Sequence, residues 1–344
     1  MKQALMIAPG KIEFRDVDKP TIQSDEVLIQ IKRIGICGSD IHVYHGMHPY
    51  TGYPVVQGHE VSGVIAQVGH SVRGFEPGDP VTIMPQITCG SCYSCRNGNY
   101  HICDSLKVMG FQANGAGQEY FAVSFGNVLK IPTEMSLDQG AMVEPTAVAI
   151  HALTRAEAGM VDGLRGKKVL VLGAGPIGNL VAQSAKALGA GGVLITDLSE
   201  FRLQTAEACG IDYAVIPQQE NLEQALLKFF GESRADLTLE CVGSEITIGD
   251  AVACARKGST IVIVGVFGTK PTVDLGLVQD RELNILGTLM YQRKDYEKAI
   301  ELISVGKIKL DPLITDTFPF EDFLKAYRYI ERAKDRAIKV MIAL

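Results

Sequence analysis

KVLVLGAGPIGNLVAQSAKALGA (168–190) carries most of the architectural information in this chain. KVLVLG is an aliphatic run without polar alternation, the pattern of a strand buried on both faces. PIGNLVAQSAKALGA continues with apolar residues at helical spacing. Between them GAGPIG (173–178) fits G-x-G-x-x-G. That string alone is a weak signal. Here it follows a predicted strand and opens a predicted helix, the context the motif requires. Gly173 permits the tight turn, Gly175 lets the backbone approach a pyrophosphate, and Gly178 allows close helix–strand packing. The helix start, with Pro176 and Ile177, offers free N–H groups and a partial positive charge to phosphate. Asp197 ends the next strand, 19 residues after Gly178. A carboxylate there accepts hydrogen bonds from ribose hydroxyls and repels a 2′-phosphate, which favours NAD over NADP. Its ordinary alternative is a helix cap. Arg202 packs over the adenine, contacts the ribose, or is a solvated helix residue.

The same alternation of strand and helix runs from about Lys167 to Thr288. GVLITD, YAVIP, DLTLECVG, STIVIVGV and ELNILGT read as strands. SEFRLQTAEACG reads as a helix capped by Ser199 and stopped by Gly210. Apolar strands joined by helices mean a parallel sheet covered on both faces, the α/β doubly wound class. Val242, Val264 and Gly265 follow strands of this unit and are counted with the glycines, Asp197 and Arg202 as cofactor-binding candidates.

Upstream, to about Lys130, short strands such as EVLIQIKRIGI and DPVTIMP alternate with turn signals, as in an all-β, barrel-like unit. Downstream lie two helices and an apolar last strand, AIKVMIAL, expected to return to the N-terminal unit. The expected division is therefore 1–150 with 289–344 returning to it, and 151–288 for the nucleotide unit. Residues 151–167 read as an amphipathic stretch plus a Gly-containing link.

A length of 344 residues suits two domains. A net charge of −6 gives no basic footprint for nucleic acid or an anionic membrane. No run of apolar residues is long enough for a transmembrane helix, and MKQALMIAPGKIEF turns charged too early for a signal peptide. A cytoplasmic location is expected.

Four of the eight cysteines crowd together as Cys89, Cys92, Cys95 and Cys103, spaced C-x2-C-x2-C-x7-C. Two-residue spacers turn successive thiolates toward one centre, and four thiolates fill a tetrahedral zinc site with no open position. Such a site is structural. An iron–sulfur cluster is the rival reading, without the proline that often follows a final cluster cysteine.

A second set is scattered: Cys37 in GICGSDIH (35–42), His59 and Glu60 in GHEVSGVIAQVGHSV (58–72), and Glu144 in VEP. All are zinc-ligand types. Each alone has an ordinary reading: a small core thiol, a turn pair, a carboxylate at a helix start. His45, His48, His70 and His101 show no partner pattern and read as surface or core residues. His151 reads as helix packing. Cys209, Cys241 and Cys254 read as buried structural thiols.

GHEVSGVIAQVGHSV resembles the zinc alcohol dehydrogenase signature, with Gly58, His59, Glu60, Gly63, Gly69 and Val72 in place. With the four-cysteine lobe and GAGPIG in order behind it, the whole chain resembles the zinc-containing medium-chain dehydrogenase/reductase superfamily. CGSD (37–40) and EP (144–145) resemble its sorbitol (L-iditol) and polyol dehydrogenase branch; ethanol-type members have Cys where this chain has Glu144. The resemblance implies a GroES-like catalytic domain, a Rossmann domain, an active site in the cleft between them, and a homotetramer or homodimer. It implies two zinc ions per chain. Cys37, His59 and Glu60 would bind the catalytic ion, with Glu144 a fourth ligand directly or through water. Asp40 would hydrogen-bond His59 and fix its tautomer. Ser39 would hydrogen-bond the substrate hydroxyl, and His42 would pass its proton to solvent. Loops near Tyr44, Phe111, Phe267 and Tyr291 would face the substrate.

The expected function is hydride transfer from a secondary alcohol of polyol type to NAD, giving a ketone. An L-threonine 3-dehydrogenase or a sugar-alcohol-phosphate dehydrogenase shares the same motifs. A nucleotide-binding protein without activity would show missing ligands, and none is missing here.

Overall fold

Strand Glu26–Ile36 organises the first half of the computed structural model, which describes residues 1–158, 160 and 163–344. Its alternating Val27, Ile29 and Ile31 point into one core with Ile65, Val81 and Phe121. Antiparallel to it on one side runs Glu60–Val68. On the other side, Tyr120–Ser124 pairs its first half and Lys339–Ala343 its last residues. Seven strands share this sheet, which continues through Pro80–Ile83 to Val128–Lys130 and, past Lys339–Ala343, to Ile314–Pro319. The register sets Gly35 opposite Glu60 and Ile36 opposite Val340. Three segments far apart in sequence therefore meet where Glu26–Ile36 ends, at Cys37.

The second unit is a six-stranded parallel sheet. Its order is Tyr213–Val215, Gly192–Thr196, Lys168–Leu172, Leu237–Glu240, Thr260–Ile263, Asn284–Gly287. The order reverses direction between Lys168–Leu172 and Leu237–Glu240, the switch point at whose carboxyl ends ligands bind in such sheets. The helices follow local signals. Ser199 accepts from Arg202 N–H at 3.3 Å and starts Glu200–Ala208, which Gly210 ends with φ +90°. Asn221 caps Leu222–Phe230, which Gly231 closes with φ +67°.

By contacts, the first unit comprises Met1–Glu144, Gln292–Ser304 and Ile314–Leu344, and the second Pro145–Tyr291 with Val305–Leu313. The tail is thus shared rather than given whole to the first unit. Val305–Leu313 buries Ile308, Leu310 and Leu313. Gln183 grips it, its amide donating to Lys309 O at 3.1 Å and accepting from Lys309 N–H at 2.7 Å. Residues 143–157 form one helix. The Gly-containing link expected after it includes Gly159, Val161 and Asp162, which lie outside the described residues. Among the described residues no helix is long and apolar enough to cross a membrane.

Candidate functional site: a metal-ligand cluster, a cysteine lobe and a glycine loop

Strand Glu26–Ile36 delivers Cys37 to the N-cap of helix Gly38–Tyr44. The chain before Glu60–Val68 delivers His59. Ligand atoms of Cys37, His59 and Glu60 all lie within 4.8 Å of one another. His59 and Glu60 are buried, and Cys37 is partly so. A sulfur, an imidazole and a carboxylate at this range suit zinc. Glu144 is buried but stands outside that 4.8 Å group.

Asp40 sits behind the cluster. Its Oδ2 accepts the Cys37 N–H at 2.9 Å, and its Oδ1 lies 3.6 Å from His59 Nδ1. His59 Nδ1 stands at ion-pair rather than hydrogen-bond distance from Asp40 and makes no hydrogen bond in the structure; an Nδ1 held toward that carboxylate would leave Nε2 for an ion. Burial alone would lower the His59 pKa. The Asp40 carboxylate and Cys37 sulfur outweigh it and hold the imidazole well above the ordinary histidine range. A metal binding there would displace a proton.

Glu60 is not free. Both its oxygens contact Lys339 Nζ, at 2.6 and 2.5 Å, in a fully buried pair. Gly35 makes room: a Cβ there would lie 2.2 Å from Glu60 Oε2. Burial alone would lower the Lys339 pKa, but the Glu60 carboxylate and Cys37 outweigh it and raise it. Sequence reasoning missed this lysine, because one Lys in an apolar terminal strand announces no partner.

Ser39 is half-buried and His42 exposed. Three residues apart in one helix, they share a face. His48, read from sequence as unpartnered, stacks on Phe111 with centroids 4.7 Å apart, and Phe111 lies 4.9 Å from the His59 ring. His48 Nδ1 also meets Thr51 Oγ1 at 2.7 Å. Burial and neighbouring His42 lower its pKa, which favours a neutral ring. Tyr44 and Tyr291, which mark two of the loops expected to face the substrate, are themselves buried, and Tyr44 packs on Tyr327 with centroids 5.1 Å apart.

In the cysteine lobe, Sγ–Sγ separations are 3.5 Å for Cys89–Cys103, 3.9 Å for Cys92–Cys103 and 4.0 Å for Cys89–Cys95. A disulfide needs about 2.05 Å. A tetrahedron with bonds of about 2.3 Å has edges near ~3.8 Å, so the lobe fits one zinc-sized ion. Backbone N–H groups of Cys92 and Ser91 point at Cys89 Sγ, at 3.3 and 3.5 Å, and favour its thiolate.

In the second unit Gly173 takes φ +98° at the strand end. A Cβ on Gly178 would meet Gly173 O at 1.8 Å, whereas one on Gly175 would meet nothing within 4 Å. The first pair needs glycine for packing; Gly175 leaves an open approach to helix Pro176–Ala187, where phosphate suits the free N–H groups. Asp197 accepts from Ala174 N–H at 2.8 Å and Ser199 N–H at 2.9 Å, and Arg202 lies 3.8 Å away. These bonds aim the carboxylate and leave lone pairs for a ribose. Glu240, unremarked in the sequence, organises the neighbouring turns. It accepts from Val242 and Gly243 N–H at 2.9 and 2.8 Å, and its backbone carbonyl accepts from Val264 and Gly265 N–H.

Comparisons with known proteins show the family. Residues 23–133 match the alcohol dehydrogenase GroES-like domain, and residues 176–305 the zinc-binding dehydrogenase family. The chain is 37% identical over 321 residues to a 2-dehydro-3-deoxy-L-galactonate 5-dehydrogenase of Pseudoalteromonas atlantica, covering 92% of each. It is 31% identical to a sorbitol dehydrogenase of Bacillus subtilis, covering 99% of this chain and 97% of that one. An alcohol dehydrogenase of Escherichia coli, solved with NADH, superposes with a TM-score of 0.91 at 31% identity, covering 100% of this chain and 99% of that one. With these motifs and relatives, the chain belongs to the zinc-containing medium-chain alcohol dehydrogenase family, in its sorbitol dehydrogenase-like part.

Proposed function

We propose that this enzyme oxidises a secondary hydroxyl of a polyhydroxylated small molecule, a sugar alcohol or sugar acid, to a ketone with NAD. The observation that carries the reading is the buried Cys37, His59 and Glu60 group with Asp40 behind His59. Cys37, His59 and Glu60 would hold zinc, with Glu144 as fourth ligand or behind a water; when bound it would supply the Lewis acidity that lowers the pKa of a substrate hydroxyl, and NAD would be the hydride acceptor.

The chain's own groups do the rest. Asp40 fixes the His59 tautomer. Ser39 takes the proton of the substrate hydroxyl, and exposed His42, one helical turn on, passes it to solvent. Cys89, Cys92, Cys95 and Cys103 hold a second, structural zinc. Gly173, Gly175, Pro176, Ile177 and Gly178 receive the pyrophosphate. Asp197 and Arg202 meet the ribose, and Val242, Val264 and Gly265 line the dinucleotide. In this reading the unit Met1–Glu144 with Gln292–Ser304 and Ile314–Leu344 is the catalytic domain, and the unit Pro145–Tyr291 with Val305–Leu313 the NAD domain. A homodimer or homotetramer in the cytoplasm belongs to the same proposal.

Similarity to a sugar-acid and a sugar-alcohol enzyme supports the substrate class. The test is NADH formation across sugar alcohols, sugar acids, their phosphates, simple secondary alcohols and L-threonine. Turnover confined to polyhydroxylated members supports the reading. Preference for L-threonine or for unsubstituted alcohols overturns it.

A further inference from the structure

Helix Phe323–Ala333 reaches the ligand cluster from the far end of the chain. An aromatic column seats it. Ring centroids are 5.2 Å apart for Phe14–Phe320, 5.9 Å for Phe320–Phe323 and 5.7 Å for Phe323–Tyr327. The column ends on Tyr44, the last residue of the helix that begins just after Cys37.

At that end, Tyr327 donates its O–H to Gln57 Oε1 at 2.8 Å, across 270 positions. Gln57 Nε2 donates to Asp40 Oδ1 at 3.1 Å and to Asp40 O at 3.3 Å. Asp40 Oδ1 is the same oxygen that stands 3.6 Å from His59 Nδ1, an ion-pair separation with no hydrogen bond closed between them. Tyr327, Gln57, Asp40 and His59 are all buried. The direction of the chain is dictated by chemistry. An ionised carboxylate only accepts, so the Gln57 NH2 must face Asp40. The Gln57 oxygen then faces Tyr327, whose hydroxyl must donate. Buried groups of this kind are costly unless every one is satisfied. Neither Gln57 nor Tyr327 offers a ligand atom to the cluster, so this buried path needs a use.

We propose that Gln57 and Tyr327 are positioning residues of the metal centre. They hold the Asp40 carboxylate in place, and through it the tautomer and aim of His59, so that docking of the C-terminal helix tightens metal binding. The inference rests on Cys37 and His59 being metal ligands.

The test compares zinc release to a chelator from wild type, Tyr327→Phe, Gln57→Leu, the double variant that combines these two, and Cys37→Ser. Cys37→Ser identifies which release belongs to this site, and the cysteine lobe serves as an internal reference. Tyr327→Phe keeps the ring packing and removes only the donor. Both positioning variants are expected to hold zinc at this site about 10-fold more weakly, the lower end for outer partners of metal-bound histidines. Release from the cysteine lobe is expected to be unchanged. The double variant is expected to lose little more than Gln57→Leu alone, because the two residues act in one path. Wild-type zinc retention in both variants, alongside loss in Cys37→Ser, overturns the inference and leaves the metal site standing. Equal weakening at both sites also overturns it, since that marks a general loss of structure. Wild-type zinc retention in Cys37→Ser overturns the metal reading, and this inference with it.

Discussion

Lys339 Nζ lies 2.6 and 2.5 Å from the two oxygens of Glu60, with the side chains 2% and 1% exposed. It also reaches the carbonyl of Ile36 at 3.3 Å, next to Cys37. One ammonium thus ties together the two strands that carry the ligand cluster. It also offsets negative charge that Cys37, Glu60 and Glu144 gather there.

Removing one partner of a buried pair strands the other charge, at a cost of about 3–5 kcal/mol. Lys339→Met should therefore lower the stability of the chelator-treated protein by roughly that amount in a denaturant titration. Zinc-loaded protein should lose less, because a divalent cation beside Glu60 replaces the missing charge. An equal loss in both states would show that Glu60 does not sense the metal.

Cys89 and Cys95 should titrate far apart once the lobe is stripped of metal. Backbone N–H groups of Ser91 and Cys92 bring the Cys89 thiol down to about 6. Partial burial and the neighbouring Cys92 and Cys103 sulfurs push Cys95 up to about 12. The thiolate is the reactive form, so alkylation of Cys89 should rise as pH passes about 6 and level off by neutrality. Cys95 should stay unreactive across that range. Bound metal should protect both. Mass spectrometry after iodoacetamide treatment reads this directly; matching pH profiles at the two cysteines would contradict it.

Asp197→Ala should weaken NAD binding about 10- to 100-fold, the value of charge-assisted hydrogen bonds. NADP should be affected less, because Arg202, 3.8 Å from that carboxylate, is then released toward a 2′-phosphate. The NAD-to-NADP ratio is the quantity to measure, since loosening of the turn alone would weaken both cofactors alike.

Ser39→Ala should reduce kcat by about 10²- to 10⁴-fold, the usual worth of positioned proton transfer. His42→Ala should cost less, and a small buffer base should restore much of the loss, because His42 is exposed. A pH–rate profile unchanged in both variants would remove them from the proton path.

What the sequence revealed was local. GAGPIG, the Ser199-to-Gly210 helix and the closely spaced cysteines each carry their geometry within a few residues. The doubly wound sheet followed from the strand–helix alternation between about Lys167 and Thr288. Lys339, Gln57 and Tyr327 were invisible because their partners lie 279 positions away for Lys339–Glu60 and 270 for Tyr327–Gln57. Only the antiparallel register of Lys339–Ala343 against Glu26–Ile36 brings Lys339 to Glu60. The packing of Tyr44 on Tyr327 was hidden for a related reason, since the helix that carries Tyr327 returns from the far end of the chain. Val305–Leu313 belongs with the second unit because Ile308, Leu310 and Leu313 are buried and Gln183 and Cys209 bind the backbone of Lys309, long-range contacts that no periodicity reports.

The central claim is that zinc at Cys37 and His59 is needed for alcohol oxidation. The direct measurement is NADH formation on the best substrate by freshly purified, chelator-treated and zinc-restored enzyme, with zinc content determined for each. Activity should fall as zinc leaves the site missing in Cys37→Ser, and return in proportion when zinc is restored. Full turnover by protein whose Cys37 site has been emptied would contradict the account.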